Sequence, residues 1–169
     1  MTALDARPLT VLLILVPMLI EANRSARNER VQRARGGIEP RDDVYGAMRL
    51  AYPAAFVAML GEAAVRQPPA ASWFIVGLAI FAAAKIIKWW AILTLGRSWT
   101  FRVIVVPGDP LVAAGPYRYL RHPNYVGVVG ELIGAAVMTR ALVAGPIAVG
   151  VFAFLLYKRI SAEERALKI

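Results

Sequence analysis

Cysteine is absent from the 169 residues, and histidine occurs once. Without cysteine there is no disulfide framework, no thiolate metal site and no cysteine nucleophile. A single histidine has no companion ligands, so no metal site is expected. Charged residues are also scarce, at 18% against roughly 25% in an average soluble domain. Acidic side chains are the scarcer kind, 11 against 20 Lys+Arg, leaving a formal charge of +9. What fills the chain is apolar: 59% of residues are hydrophobic, where roughly 45–50% is ordinary. That content excludes a disordered basic tail and argues against a freely soluble globule. The arginines punctuate long apolar runs rather than forming a polar basic face, so a nucleic-acid partner is not expected. The length predicts one domain over residues 1–169, and the composition makes it a membrane domain.

Five apolar segments divide the chain: about Pro8–Ala22, Val44–Ala64, Ala71–Leu95, Pro123–Met138 and Ala141–Tyr157. A membrane helix needs about 20 mostly apolar residues. The first segment is short and contains Pro17, and it reaches across only if Arg7 and Glu21 snorkel to the two headgroup layers. The last two are separated by Thr139-Arg140 alone, which predicts a tight antiparallel hairpin. Gly127, Gly130 and Gly134 fall near one face of the fourth segment, where small residues let membrane helices approach. The fold class is all-α, a polytopic membrane bundle of about five transmembrane helices with a cytoplasmic cofactor pocket. Three spans fill residues 1–95; a loop, the hairpin and a tail fill 96–169.

Sorting the basic residues by loop tests this division. The 23–43, 96–121 and C-terminal segments carry fourteen, among them Arg24, Arg27, Arg30, Arg33, Arg35, Arg41 and Lys168. The alternate loops carry only Arg7, Arg66 and Arg140, while Arg49, Lys85 and Lys88 lie within spans. The positive-inside rule then places the N-terminus outside and the C-terminus in the cytoplasm, as for a protein integral to a bacterial inner membrane.

The 96–121 segment is dense in turn residues, Pro107-Gly108-Asp109-Pro110 and Gly115-Pro116. Between them and the third span, Phe101–Val106 is short, apolar and β-branched, suited to lying on the membrane surface or covering a pocket. His122 stands in Arg121-His122-Pro123-Asn124-Tyr125 at the mouth of the fourth helix. Pro in a first turn is ordinary helix-start chemistry, and the residues there allow that plain reading. They also allow a functional one, since exposed amides at a helix start, with Tyr117, Tyr125 and Arg121 nearby, suit an anion. In the tail, Arg159 and Glu163 are four apart on one helical face. They read either as a surface ion pair or as a fixed Arg for an anionic substrate and a carboxylate for hydroxyls or an amino group.

Gly115-Pro116-Tyr117-x3-Arg121-His122-Pro123-x-Tyr125-x-Gly127, followed by Arg159-x3-Glu163-Glu164-x2-Leu167, resembles the isoprenylcysteine carboxyl methyltransferase family. These are integral-membrane enzymes that use S-adenosylmethionine. The resemblance covers roughly Leu95–Leu167. It implies cofactor contacts from Leu111, Val112, Tyr117, His122, Pro123, Asn124, Tyr125 and Glu163, and a substrate-facing Arg159 with Arg121 as a second candidate. Asp109 departs from the pattern, standing where many relatives carry His.

The resemblance implies O-methylation of a lipophilic acceptor, either an isoprenylcysteine-like carboxylate or the hydroxyl of an alkylpyrone or alkylresorcinol. Such acceptors ionise readily, so alignment rather than a strong base is the requirement. A phospholipid N-methyltransferase is an alternative, in which His122 or Glu131 takes the ammonium proton. An NADPH-dependent membrane reductase of sterol-reductase type is another, although the chain has no Gly-rich phosphate loop. A non-catalytic membrane scaffold is a third. Within the spans, Glu131 is read as pairing with one of Lys85 and Lys88, or else as addressing the acceptor head group. Trp89 and Trp90 read as an interfacial belt.

Overall fold

The computed structural model describes residues 6–40, 44–66 and 69–167. Arg41 and Lys168, and the side chains of Arg7 and Leu167, lie outside the described residues. Among the described residues five α-helices run up and down: α1 (Ala6–Ala34), α2 (Tyr45–Val65), α3 (Ala71–Leu95), α4 (Pro123–Thr139) and α5 (Ala144–Leu167). Two short 3-10 turns, Gly96–Ser98 and Gly115–Arg118, interrupt the long α3–α4 connection. Among the described residues the β pairing is a single antiparallel bridge between Ile38 and Val105.

Four helices, all but α4, are long and apolar enough to cross a membrane. At 1.5 Å per residue, the 17 residues of α4 reach about 25 Å, short of the roughly 30 Å hydrocarbon core. Its glycines nevertheless lay it antiparallel along α3 within the bundle, so the up-and-down order is kept. A Cβ at Gly127, Gly130 or Gly134 would lie 2.6–2.7 Å from Lys88, Ala84 or Phe81 of α3, and one at Gly77 of α3 would overlap the Met138 backbone. Glycine on both helices therefore lets the two backbones touch, as the spacing predicted.

The predicted hairpin is present. Arg140 adopts the left-handed conformation (φ 53°, ψ 40°), and Ala141 N–H donates to Ala136 C=O at 2.9 Å, which is the bond pattern of a Schellman stop. The start of α5 is then capped from another helix. The Glu62 carboxylate of α2 accepts N–H bonds from Leu142, Val143 and Ala144 at 2.7–3.2 Å. This fixes α2 antiparallel to α5, with Tyr52 beside Phe152 in mid-bundle (ring centroids 5.3 Å apart) and Met48 near Arg159 at the far end.

Two sequence expectations for α1 are corrected. The helix does not end near Ala22 but continues through the Arg-rich stretch to Ala34. Its polar side chains have partners there: Asn28 donates to the carbonyls of Gly96 and Trp99 (3.0 and 2.7 Å), and Gln32 to those of Arg97 and Ser98 (both 3.1 Å). The helix thus docks on the carbonyls that α3 leaves unpaired at its end. Glu21 does not snorkel. It is fully buried, bonded to Lys85 at 2.9 Å and Lys88 at 2.7 Å.

Glu131 of α4 meets the same two lysines at 3.0 and 3.2 Å, so the expected single Glu–Lys pair is a neutral group of four. Tyr52 of α2 adds a hydroxyl hydrogen bond to Glu131. The group joins α1, α3, α4 and α2 in the interior. Its gain is specificity of packing more than net stability, since desolvation offsets much of the Coulomb attraction.

Candidate active site

The candidate side chains gather at the end of the bundle where α3 leaves, α4 enters and α5 finishes. The 101–106 segment braces this end. Phe101 N–H donates to the Ser25 hydroxyl at 2.8 Å, and Val103 is buried. Val105 exchanges both backbone bonds with Ile38 at 2.8 and 2.9 Å. The strip is laid over the C-terminal half of α1 and the residues after it. Arg102 clamps it further through Glu39 at 2.6 Å and Glu29 at 3.4 Å. Burial alone would raise the Glu39 carboxyl, but hydrogen bonds from Arg102 and Arg33 hold it below the usual carboxylate range.

Glycine is required at one point of this connection. Gly115 has φ +54°, and a Cβ there would lie 2.5 Å from the Thr94 hydroxyl. The turn therefore presses onto the last part of α3, which sets Tyr117 in place. Tyr117 is half-buried, and burial, with Glu163 nearby, pushes its phenol above the ordinary range.

His122 precedes the first turn of α4 and caps it without a side-chain hydrogen bond. Its ring stacks on Tyr125, centroids 5.3 Å apart and planes 12° from parallel. Its nitrogens face the two tail carboxylates, Nε2 to Glu164 at 3.3 Å and Nδ1 to Glu163 at 3.7 Å. The Tyr125 hydroxyl donates to Glu163 at 2.5 Å and accepts from Arg159 Nε at 2.9 Å. Arg159 is only 4% exposed. It also donates to the Phe101 carbonyl at 2.5 Å and points Nη1 at Met48 Sδ, 4.0 Å away. The plain reading of Arg159 as half of a surface ion pair therefore fails: it is an interior group joined to Glu163 through a tyrosine.

The remaining predicted residues are placed less centrally. Pro123 is buried, and Asn124 accepts from Trp99 Nε1 at 3.2 Å. Val112 is half-buried and Leu111 is 55% exposed, on the stretch after Asp109, which Arg35 holds at 2.7 Å. Arg121 is 77% exposed and reaches only Glu164, at 3.7 Å, among the described residues. The structure brings His122, Tyr125, Arg159 and Glu163 together and leaves Arg121 on the rim.

Sequence reasoning quoted Glu164 without giving it a role and missed the supports Trp99, Ser25 and the Phe101 carbonyl altogether. The last cannot be read from a side chain at all. Among the described residues no group of three or more His, Cys, Asp or Glu is arranged to hold a metal ion.

The isoprenylcysteine carboxyl methyltransferase family description matches residues 75–169, the part that builds this end of the bundle and the α3–α4–α5 core. The Bacillus subtilis protein YpbQ is 29% identical over 160 residues, 95% of each chain. A probable protein-S-isoprenylcysteine O-methyltransferase of Oryza sativa is 32% identical over 100 residues, 54% of this chain and 50% of its own. Protein-S-isoprenylcysteine O-methyltransferase B of Arabidopsis thaliana is 33% identical over 98 residues, 54% of this chain and 48% of its own. No solved structure matches the chain.

Proposed function

The chain belongs to the isoprenylcysteine carboxyl methyltransferase family, and from that premise we propose that it is an S-adenosylmethionine-dependent O-methyltransferase acting on a lipophilic acceptor. Four apolar helices and the family fit an integral membrane protein. The topology that follows from the arginine count has the N-terminus outside and the site facing the cytoplasm of a bacterial inner membrane. Cofactor would then enter from water and acceptor from lipid.

The observation that carries the reading is the Glu163–Tyr125–Arg159 chain beside the stacked His122. Its donor set fits the cofactor. Two carboxylates facing an imidazole–phenol stack suit a ligand with an ammonium group, a ribose diol and a flat base. Leu111, Val112, Tyr117, His122, Pro123, Asn124, Tyr125 and Glu163 would hold it, with Glu164 as a further carboxylate. When bound, the cofactor supplies an electrophilic methyl group on a sulfonium.

The protein's own work is then alignment. Arg159, held in place by Tyr125 and the Phe101 carbonyl, would orient the acceptor anion, and fixed geometry of this kind lowers a barrier by several kcal/mol, up to about 7–11 in favourable cases. Aromatic faces at Tyr117 and Tyr125 favour a neighbouring cation by about 0.5–2 kcal/mol. No strong base is required, because a carboxylate or acidic enol acceptor arrives ionised. Arg121, on the rim, would attract anions rather than hold the reacting one.

The test is calorimetric titration of the detergent-purified chain with S-adenosylmethionine, S-adenosylhomocysteine and NADPH, alongside Glu163→Ala and His122→Ala. Binding of the first two, weakened in both variants, is expected. Binding of NADPH alone would replace this reading with the reductase one, and binding of none would leave a scaffold. A lipid extract incubated with labelled methyl donor then identifies the acceptor.

A further inference from the structure

A second polar site lies at the start of α2, and the function proposed above does not use it. Two of the groups around Arg159 lead into it along the chain. The Phe101 carbonyl precedes Arg102, and Met48 precedes Arg49. Arg49 and Arg102, with Glu39, Tyr45, Gly46 and Leu50, line an open cavity of about 320 Å³ at the start of α2.

Among the described residues its charges do not cancel. Arg33 and Arg102 are matched by Glu39 and Glu29 through contacts of 2.6–3.4 Å. Arg49 has no hydrogen-bond or ion-pair partner among the described residues, so one positive charge is left over. Arg102 is fixed from two sides, its guanidinium lying 4.4 Å over the Tyr45 ring while it holds Glu39. Gly46 leaves the wall open, with nothing within 4 Å of where a Cβ would stand.

The rim turns apolar at Leu50. Leu50 is 69% exposed and begins the outer face of α2, a helix apolar enough to cross a bilayer. A ligand here must carry an anion at one end and a tail at the other. The geometry points to this cavity as a binding site for the phosphate of an anionic phospholipid, with Arg49 supplying the unmatched charge and Leu50 the contact for the first acyl methylenes. A monoanionic phosphodiester would pair with Arg49, which has no partner among the described residues. A zwitterionic head group brings a second cation, and Glu39 is already committed to two arginines. Basic cavities beside membrane helices are the usual setting for such recognition.

The site is independent of methyl transfer, and so is its test. The full chain in detergent is titrated with phosphatidylglycerol, phosphatidylcholine or inorganic phosphate, and its melting temperature is followed. Phosphatidylglycerol is expected to stabilise the protein at concentrations where the other two do not. Arg49→Gln should weaken that response about fivefold, the worth of one interfacial arginine, without changing the melting temperature of the lipid-free protein. Arg49→Lys should retain most of it. An Arg49→Gln response equal to wild type would overturn the assignment, as would equal stabilisation by phosphatidylcholine. Equal stabilisation by inorganic phosphate would overturn the lipid as its source.

Discussion

The Tyr125 hydroxyl stands between two groups of opposite charge, accepting from Arg159 at 2.9 Å while donating to Glu163 at 2.5 Å. The spacing of Arg159 and Glu163 along α5 leaves room for a direct i,i+4 pair. The tyrosine instead gives each charged group a fixed neutral partner, and so keeps both oriented toward the end of the bundle where His122 lies.

Tyr125→Phe removes that hydroxyl but keeps the ring stacked on His122. Hydrogen bonds to charged groups contribute about 1.5–3 kcal/mol, so affinity for S-adenosylmethionine should fall by roughly tenfold or more. Calorimetry on the variant measures this. An unchanged affinity would show that Glu163 is oriented by something other than Tyr125.

The four-charge interior predicts a non-additive pair of substitutions. Lys88→Met alone strands buried carboxylate charge and should cost about 3–5 kcal/mol. Lys88→Met combined with Glu131→Gln removes one charge of each sign and should recover much of that loss. Denaturation in mixed micelles gives the double-mutant cycle, and simple additivity of the two changes would count against a coupled group.

Gly134→Ala tests the close contact of α3 and α4. The added methyl would lie 2.6 Å from the Phe81 nitrogen, so the helices must separate, and overpacking of this kind costs about 1–3 kcal/mol. Gly61→Ala on α2, with nothing within 4 Å of the new methyl, should be tolerated. Equal melting temperatures for the two variants would contradict the packing described.

The Glu39–Arg102 clamp makes the 101–106 strip sensitive to acid. Because the folded Glu39 carboxyl lies below its ordinary value, its stabilisation is full above the unfolded value near 4.5 and is lost as pH falls through the lower folded value. Partial exposure limits the effect to under about 1 kcal/mol. The stability difference between wild type and Glu39→Gln should therefore be constant at neutral pH and vanish in the acid limb. A difference that grows with acidification would reverse the assignment.

The positions of the helices were legible in the sequence because apolar runs, turn residues and the Thr139-Arg140 break are local features. Predicted Ala71–Leu95 matches α3 to the residue, and the glycine face of α4 meets its neighbour as expected. The end of α1 was not legible. Arg, Asn, Gln and Glu are acceptable in a helix or a loop, and the outcome turned on carbonyls at Gly96–Trp99, some 70 residues away. Glu21 misled for the same reason, since a glutamate at the edge of an apolar run looks interfacial until two lysines from another helix arrive beside it.

The sequence by itself determined an all-helical membrane protein with its basic residues concentrated on alternate loops, because chain solvation and helix length depend only on which residues occur in which order. It also marked His122, Tyr125, Arg159 and Glu163 through a motif. Tertiary structure alone decided how they are joined. Arg159 became an interior group because α4 brought Tyr125 and the strip brought a backbone carbonyl to it. Arg121, next to His122 in the chain, stayed in solvent, its one contact among the described residues a 3.7 Å approach to Glu164 of α5. Charge type is written in the residue, but its partner is set by which surfaces meet, and in a low-dielectric bundle the partner decides what the charge does.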